Sequence, residues 1–347
     1  MPAARRPRPR SLGAAALCAA LLLTAVGGGC SGDCKPTWSV EVGPLTPVLL
    51  SVWGRTASDV WAVGGSPADK ATPAAAAVMH YDGHAWSNVD APFPAVLWWV
   101  FGFADNDVWM AGEFGTVLHW DGSALTRVKS GVESSTHNLR LYGVWGAGPS
   151  DLYVVGGDPD NSPTVLHWDG AALSPAGGTP NPGGAWFKVW GSAHDDVYLV
   201  GQYGALAHFD GASWTSVDLG PLGIRPQDSL FTASGSGKND VYVVGGPFSG
   251  AKALHYDGKA WAAVAGLDLS ATTGQLTGVH ENAGGDVAMT GIGGLKFVGR
   301  AGSFRDDSAA PPSADLHAVW FETVDDVFAV GGNFAAQSHG VIARLRR

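Results

Sequence analysis

Five histidines share a local pattern that would suit metal binding or acid–base chemistry if the five side chains lay close together. Each is followed by an aromatic residue, an aspartate and a glycine, and the five are His80, His119, His167, His208 and His255. Successive members are 39 to 48 residues apart, so they occupy one equivalent position in successive repeats. Repeats arranged in a ring keep equivalent positions far apart, which excludes a shared metal. We therefore interpret each histidine as packed and hydrogen-bonded within its own repeat.

One loop has a second candidate arrangement. Asp158, Asp160 and Asn161 are closely spaced oxygen ligands that would suit Ca²⁺, but the remaining ligands of an EF-hand loop are missing. A polar loop without metal is the alternative. The other repeated aspartates are interpreted as turn formers. No phosphate-binding glycine loop and no nucleophilic serine elbow is present, so we expect no cofactor and assign no catalytic residue.

The elements that carry these residues are short strands. Each repeat contains four apolar runs separated by glycine or aspartate, as in residues 186–217, and the runs are rich in β-branched and aromatic residues. One aspartate marks the register of each repeat: Asp59, Asp107, Asp151, Asp196, Asp240, Asp286 and Asp326. A glycine follows each of these aspartates by five residues. Seven such units predict an all-β fold, a seven-bladed β-propeller of four-stranded antiparallel blades.

The seventh repeat ends before its fourth run. Residues 37–42 begin Thr37-Trp38-Ser39-Val40, which is similar to the fourth run of other repeats, as at Ser213-Trp214-Thr215-Ser216. We therefore predict that residues 37–42 form the outer strand of the last blade and close the ring. Closure removes the strand edges that an open array would expose.

The connections of the predicted blades differ between the two faces. The turn between strands one and two, and the Asp-Gly turn between strands three and four, keep their lengths. The connections on the opposite face, such as residues 64–76 and 176–185, vary. Binding residues usually lie on irregular loops, so we place any ligand site on the variable face and the channel mouth, with neutral drift of the loops as the alternative. The candidates are Trp99, Lys188, His317, Tyr203 and Phe114.

The first 29 residues have the character of a targeting segment. Four arginines precede an apolar stretch that ends in three glycines and Cys30, which predicts a lipoprotein-type signal peptide (1–29) with Cys30 as the lipidated residue. Ordinary secretory cleavage is the alternative. Residues 30–36 would be a tether and 37–347 the propeller. The net charge without residues 1–29 is −14, which argues against nucleic acid as a partner.

The repeat itself, as in Val52-Trp53-Gly54, Asp59-Val60-Trp61-Ala62-Val63-Gly64 and His80-Tyr81-Asp82-Gly83, resembles a group of myxobacterial lipoprotein propellers. It is distantly similar to Asp-box and kelch-type propellers. The resemblance implies export, a lipid anchor as the only membrane contact, and location in the bacterial outer membrane, the periplasm or the cell surface. It carries no established activity.

Two functions remain open at the level of sequence. The favoured one is a monomeric, non-enzymatic binding or scaffold module for an envelope protein or a polysaccharide, which uses the variable face. The alternative is a glycan-active hydrolase or lyase with carboxylates in the channel. A pair of channel carboxylates about 5–10 Å apart would favour the enzyme.

Overall fold

The chain folds into seven four-stranded antiparallel sheets, and each sheet is one blade of a propeller. The computed structural model describes residues 35–68, 72–134, 139–158, 162–247, 249–333 and 338–347. The first strands of the blades contact one another in sequence order, and the first strands of blades seven and one complete the ring. The predicted all-β, seven-bladed architecture is confirmed.

The first strand, β1 (Thr37–Leu45), belongs to the last blade. The strands of the first four blades are β2 (Val48–Thr56), β3 (Asp59–Ser66), β4 (Ala75–Tyr81), β5 (Trp86–Asn88), β6 (Leu97–Ala104), β7 (Asp107–Gly112), β8 (Val117–Trp120), β9 (Leu125–Val128), β10 (Arg140–Gly148), β11 (Asp151–Gly157), β12 (Pro163–Trp168), β13 (Leu173–Pro175), β14 (Trp186–Ala193), β15 (Asp196–Gly201), β16 (Leu206–Phe209) and β17 (Trp214–Ser216). The remaining strands are β18 (Ser229–Gly237), β19 (Asp240–Gly246), β20 (Lys252–Tyr256), β21 (Trp261–Ala263), β22 (Leu276–Glu281), β23 (Val287–Gly291), β24 (Lys296–Arg300), β25 (Ser303–Asp306), β26 (Leu316–Thr323), β27 (Asp326–Asn333) and β28 (Ser338–Arg346).

Blades one to six are β2–β5, β6–β9, β10–β13, β14–β17, β18–β21 and β22–β25. In the described part of the chain, two single-turn 3₁₀ helices lie between the strands, Gln202–Gly204 and Gly220–Leu222. Within the described ranges, no helix has the length and apolar character needed to cross a bilayer.

The second strand of every blade is buried on both faces. All six residues of β15 are buried, and β19 and β11 have only their first residue partly accessible. A strand covered by neighbouring blades on both sides cannot alternate apolar and polar residues, because neither face meets water. This explains the unbroken apolar runs of the repeat, such as Val197-Tyr198-Leu199-Val200.

The N-terminal strand closes the ring as predicted. Strand β1 pairs with β28 in the order β1–β28–β27–β26, and it extends to Leu45, beyond the predicted 37–42. Trp38 is 6% exposed, and its indole nitrogen donates to Asp307 at 3.0 Å. The buried Arg344 of β28 binds Asp326 with two nitrogens and Glu41 of β1 with the third, at 3.2 Å. Packing and a buried ion network thus both fix the closing strand.

A tryptophan near the end of most inner strands packs against a glycine of the next blade. Trp53 lies where a side chain at Gly102 would begin, 2.7 Å from the position of that β-carbon, and Trp190 faces Gly235 in the same way. The glycine that begins the first turn of the repeat is therefore required by the neighbouring blade. Where the tryptophan is replaced by Ser234, the next blade carries Glu281 instead of glycine.

Candidate functional site

The five repeated histidines form one structural pair per blade. Each histidine Nε2 lies 2.6–2.8 Å from a carboxylate oxygen of the aspartate that begins the second strand of the same blade. The imidazole also stacks on the aromatic residue opposite it, for example His208 on Tyr198 at 4.2 Å between ring centroids. In blade seven, Arg344 takes the place of the histidine and lies 4.0 Å over Phe328. The histidines therefore cross-link strands within blades.

The proposed calcium loop is only partly described. The Asp158 carboxylate accepts the backbone N–H of Ser162 at 3.0 Å, which is a loop-stabilising role, while Asp160 and Asn161 lie outside the described residues. In the part of the chain that the structure describes, no group of three or more His, Cys, Asp or Glu side chains is placed to hold a metal ion.

The inner strand of every blade contains a β-bulge near its start. The strand pairing skips one residue at the same repeat position in all seven blades. The skipped residues, which we call the mouth ring, are Leu50, Trp98, Tyr142, Phe187, Phe231, Thr277 and His317. A bulge changes the direction of a side chain, and all seven line a single cavity of about 360 Å³.

The mouth ring lies at the variable face. In an antiparallel blade, the start of strand one and the end of strand two share one edge, which is also the edge of the variable connections. Gln227, Pro247 and Ile292, from three of these connections, complete the rim of the cavity. The cavity is therefore the mouth of the central channel on the variable face.

Glycines at the ends of the second strands make the bulges possible. A β-carbon on Gly156 would overlap the carbonyl oxygen of Arg140, two residues before the bulged Tyr142. The equivalent glycine of every other blade faces the corresponding carbonyl in the same way: Gly64, Gly112, Gly201, Gly245, Gly291 and Gly331. The glycine five residues after each repeat aspartate thus marks the bulge in the sequence.

Four consecutive blades contribute aromatic residues to the mouth ring. Trp98 meets Tyr142 edge to face at 5.0 Å between centroids, Tyr142 meets Phe187 at 5.1 Å, and Phe187 stacks on Phe231 at 5.5 Å with a 10° angle between ring planes. We call these four residues the aromatic arc. Such contacts hold the rings in fixed orientations, so the arc presents a continuous apolar wall.

The opposite side of the mouth is smaller and more polar. The Thr277 hydroxyl donates to the Leu316 carbonyl of the next blade at 2.7 Å. Burial lowers the pKa of His317 to about 4, so this imidazole is neutral near pH 7. The mouth is therefore asymmetric, with an aromatic half and a half formed by Leu50, Thr277 and His317.

Lys188 and Trp99 form the floor of the mouth. Both line the mouth cavity and also a second cavity of about 180 Å³ farther along the channel. The Lys188 ammonium donates to the Tyr142 carbonyl at 2.7 Å and lies 4.2 Å from the centre of the Trp99 ring. The channel wall surrounds the amine, and this burial lowers the pKa of Lys188 to about 7.

Among the described residues, Glu281 is the one carboxyl group that lines the second cavity. Glu281 is 4% exposed, and its burial, together with the charge of Asp240 and a hydrogen bond to it, raises the pKa of Glu281 to about 9. Beside it, burial lowers the pKa of His280 to about 4. Both groups are therefore held in their neutral forms at pH 7.

Three of the five ligand-binding candidates from the sequence lie together. Trp99, Lys188 and His317 line the mouth cavity. Tyr203 lines a separate surface recess, and Phe114 is not among the residues that line the mouth. Cys30 lies outside the described residues. Sequence reasoning missed the aromatic arc, which is one position N-terminal to Trp99 and Lys188 in the repeat. Four aromatics at one position in seven repeats were the available signal.

Structural comparison supports the fold. YCF48 bound to D1 peptide is 15% identical over 89% of this chain and 97% of that chain, with a TM-score of 0.62. The WD40 β-propeller domain of Doa1 is 10% identical over 89% of this chain and 97% of that chain, with a TM-score of 0.63. The GH74 xyloglucanase from Xanthomonas campestris is 12% identical over 86% of this chain and 52% of that chain, with a TM-score of 0.59. No family model and no curated protein matches the sequence. At these identities, the likeness shows the fold alone.

Proposed function

We propose that this protein is a binding module whose partner contacts the variable loop face and inserts an apolar group into the channel mouth. The aromatic arc carries the proposal: four adjacent blades with different sequences each turn an aromatic residue into one cavity. Rigid aromatic walls with a few polar groups are typical of ligand sites. An envelope protein is the preferred partner because YCF48, a structural neighbour, binds a peptide. A polysaccharide is the alternative.

The hydrolase alternative has weaker support. Among the described residues that line the two channel cavities, Glu281 is the one carboxylic acid. Its partner Asp240 is hydrogen-bonded to it, and Asp240 also binds His255 at 2.6 Å. Glycoside hydrolysis normally uses two carboxyl groups separated by at least about 5 Å across the substrate. The likeness to a xyloglucanase concerns the fold and does not supply the second acid.

We also propose that the module is exported and lipid-anchored through Cys30. The arginine-rich start, the apolar stretch and the cysteine that follows Gly27-Gly28-Gly29 support this proposal. The intact mass of the mature protein is the test. A mass equal to residues 30–347 plus diacylglycerol supports the anchor, and an unmodified chain that starts elsewhere contradicts it.

The binding proposal can be tested with a displayed peptide library and a polysaccharide array, both probed with the full chain. Phe187→Ala removes the centre of the aromatic arc. His84→Ala is the matched control, because the His84 side chain is 91% exposed on a turn of the opposite face. Truncating a central aromatic anchor typically weakens binding by tenfold or more. We expect peptides enriched by the wild type and by His84→Ala to bind Phe187→Ala about tenfold less.

Three results would contradict the proposal. If Phe187→Ala enriched the same peptides as strongly as the wild type, the mouth would not be part of the binding site. Retention of polysaccharides alone would favour the alternative partner. New reducing ends or unsaturated products in the array wells would favour the enzyme.

A further inference from the structure

The charge of the mouth is opposite to that of the protein. The chain has a formal net charge of −10, yet the lining of the mouth cavity includes Lys188 and Arg140 and, among the described residues, no aspartate or glutamate. Arg140 is paired with Glu113 behind the lining, at 3.5 Å. Lys188 is therefore the cation that faces the cavity without a carboxylate beside it.

The contacts of Lys188 leave room for an anion. One N–H donates to the Tyr142 carbonyl, and the ammonium lies against the face of Trp99. An ammonium has three donors, so these contacts do not use its full capacity. A cation held in a nearly apolar cavity is costly unless an anion accompanies it, which means that an anionic ligand would be stabilised there.

We propose that the group accepted by the mouth is an apolar body of about two fused rings that carries one negative charge, such as a carboxylate. The apolar body would pack against the aromatic arc, and the anion would accept a hydrogen bond from Lys188 on the floor. This inference rests on the proposed function, since it uses the same mouth, and it adds the chemical class of the ligand.

Binding of such a group depends on pH in a definite direction. An anion binds the protonated amine, and the pKa of Lys188 in the empty mouth is about 7. A bound anion raises that pKa, so binding takes up a proton and the affinity falls as the pH rises above 7. Protonated amine falls from about nine-tenths at pH 6 to about one-tenth at pH 8, which predicts about tenfold weaker binding at pH 8.

The other titratable groups around Lys188 do not obscure this effect. Burial lowers the pKa values of His317 and His280 to about 4 and raises that of Tyr142, so all three are neutral between pH 6 and 8. Glu281, in the second cavity, is also neutral between pH 6 and 8 because its pKa is raised to about 9. Arg140 of the neighbouring blade also lines the cavity, and Glu113 behind the lining balances its charge.

Two fluorescent probes separate charge from apolar contact. 1-Anilinonaphthalene-8-sulfonate has one sulfonate, which stays ionised from pH 6 to 8, and N-phenyl-1-naphthylamine has the same rings without the sulfonate. Both are titrated into the full chain at pH 6, 7 and 8. The variants are Lys188→Met, which keeps the length of the side chain, and Phe187→Ala. Thermal melts establish that each variant is folded.

We expect the anionic probe to bind at least about tenfold more tightly than the neutral probe at pH 6. The affinity of the anionic probe should fall about tenfold between pH 6 and pH 8. Lys188→Met should remove both the preference and the pH dependence while it keeps binding of the neutral probe. Phe187→Ala should weaken both probes.

Equal binding of the two probes to the wild type, both sensitive to Phe187→Ala, would overturn the inference and leave the proposed function standing. Probe binding that neither variant changes would overturn both, because the mouth would then not be the site. An unchanged preference for the anionic probe in Lys188→Met would show that another group binds the anion.

Discussion

The same seven inner strands form both ends of the central channel, yet the two ends obey different rules. At the end opposite the variable face, a tryptophan of the inner strand packs against a glycine of the following blade. These tryptophans are Trp53, Trp145, Trp190 and Trp320. At the mouth, the bulged position carries a different side chain in nearly every blade. Packing between blades restricts the first set of residues, whereas the mouth ring lines a cavity and its residues vary from blade to blade.

The exceptions at the packed end show how this restriction works. Blade five has Ser234 where four other blades have tryptophan, and blade six then has Glu281 in place of glycine. His280 in blade six is followed by Phe321 in blade seven, and the two rings meet edge to face at 5.0 Å. A large residue therefore replaces glycine only where the preceding blade has lost its tryptophan. The repeat is maintained by pairwise contacts between neighbours.

Removal of the closing strand should have the largest effect on stability. A chain without residues 35–45 loses the β1–β28 pairing and the buried Trp38. Loss of the tryptophan side chain alone costs about 3–5 kcal/mol. We expect the Tm to fall by more than about 10 °C. Val40→Ala, which alters a residue of β1 that is 46% exposed, is the control and should leave the melt almost unchanged. If the chain without β1 had the same Tm as the full-length protein, β1 would not close the ring.

The second largest effect on stability is expected at the glycines that end the second strands and allow the bulges. Gly156→Ala places a methyl group against the Arg140 carbonyl, whereas Gly148→Ala, in the same blade, meets nothing within 4 Å. We expect the first change to lower the free energy of unfolding by about 3 kcal/mol and the second by less than about 1 kcal/mol. Urea unfolding of the two variants measures the difference. Equal losses would mean that the glycine does not support the bulge.

Glu281 should make the stability depend on pH. Its pKa is about 9 in the folded protein and near 4.5 ordinarily, so the native state holds a proton that the unfolded state releases. Stability is therefore lost as the pH rises between these values. Glu281→Gln mimics the neutral acid and should be on the order of 2 kcal/mol more stable than the wild type at pH 8, with little difference at pH 4. Parallel stability curves from pH 4 to 8 would contradict a neutral Glu281.

The smallest effect on stability is expected in the mouth. Phe187 is partly exposed to the channel, whereas Leu199, in the same blade, is fully buried. Phe187→Ala should cost about 1 kcal/mol, and Leu199→Ala about 2–5 kcal/mol. If Phe187→Ala were the more destabilising of the two, the mouth ring would belong to the packed core. Denaturant unfolding monitored by tryptophan fluorescence compares them.

The sequence was sufficient for the architecture because each strand, turn and blade repeats its own local signal. It also suggested candidate ligand contacts near the start of the inner strands, and three of them, Trp99, Lys188 and His317, line one cavity. The aromatic arc was missed because a bulge shifts the pairing by one residue, and alternation alone cannot reveal that shift. The repeated glycine after each aspartate was its trace. Glu281 and Arg344 depend on contacts with neighbouring blades or with β1, which no single repeat contains.

The most direct test of the mouth as a ligand site is a crystal of the protein grown with 6-bromo-2-naphthoate, in which anomalous scattering locates the bromine. We expect one bromine site in the mouth cavity, with the naphthalene rings against Phe187 and the carboxylate within hydrogen-bonding distance of the Lys188 Nζ. Bromine sites confined to the opposite face or to the outer strands would contradict it.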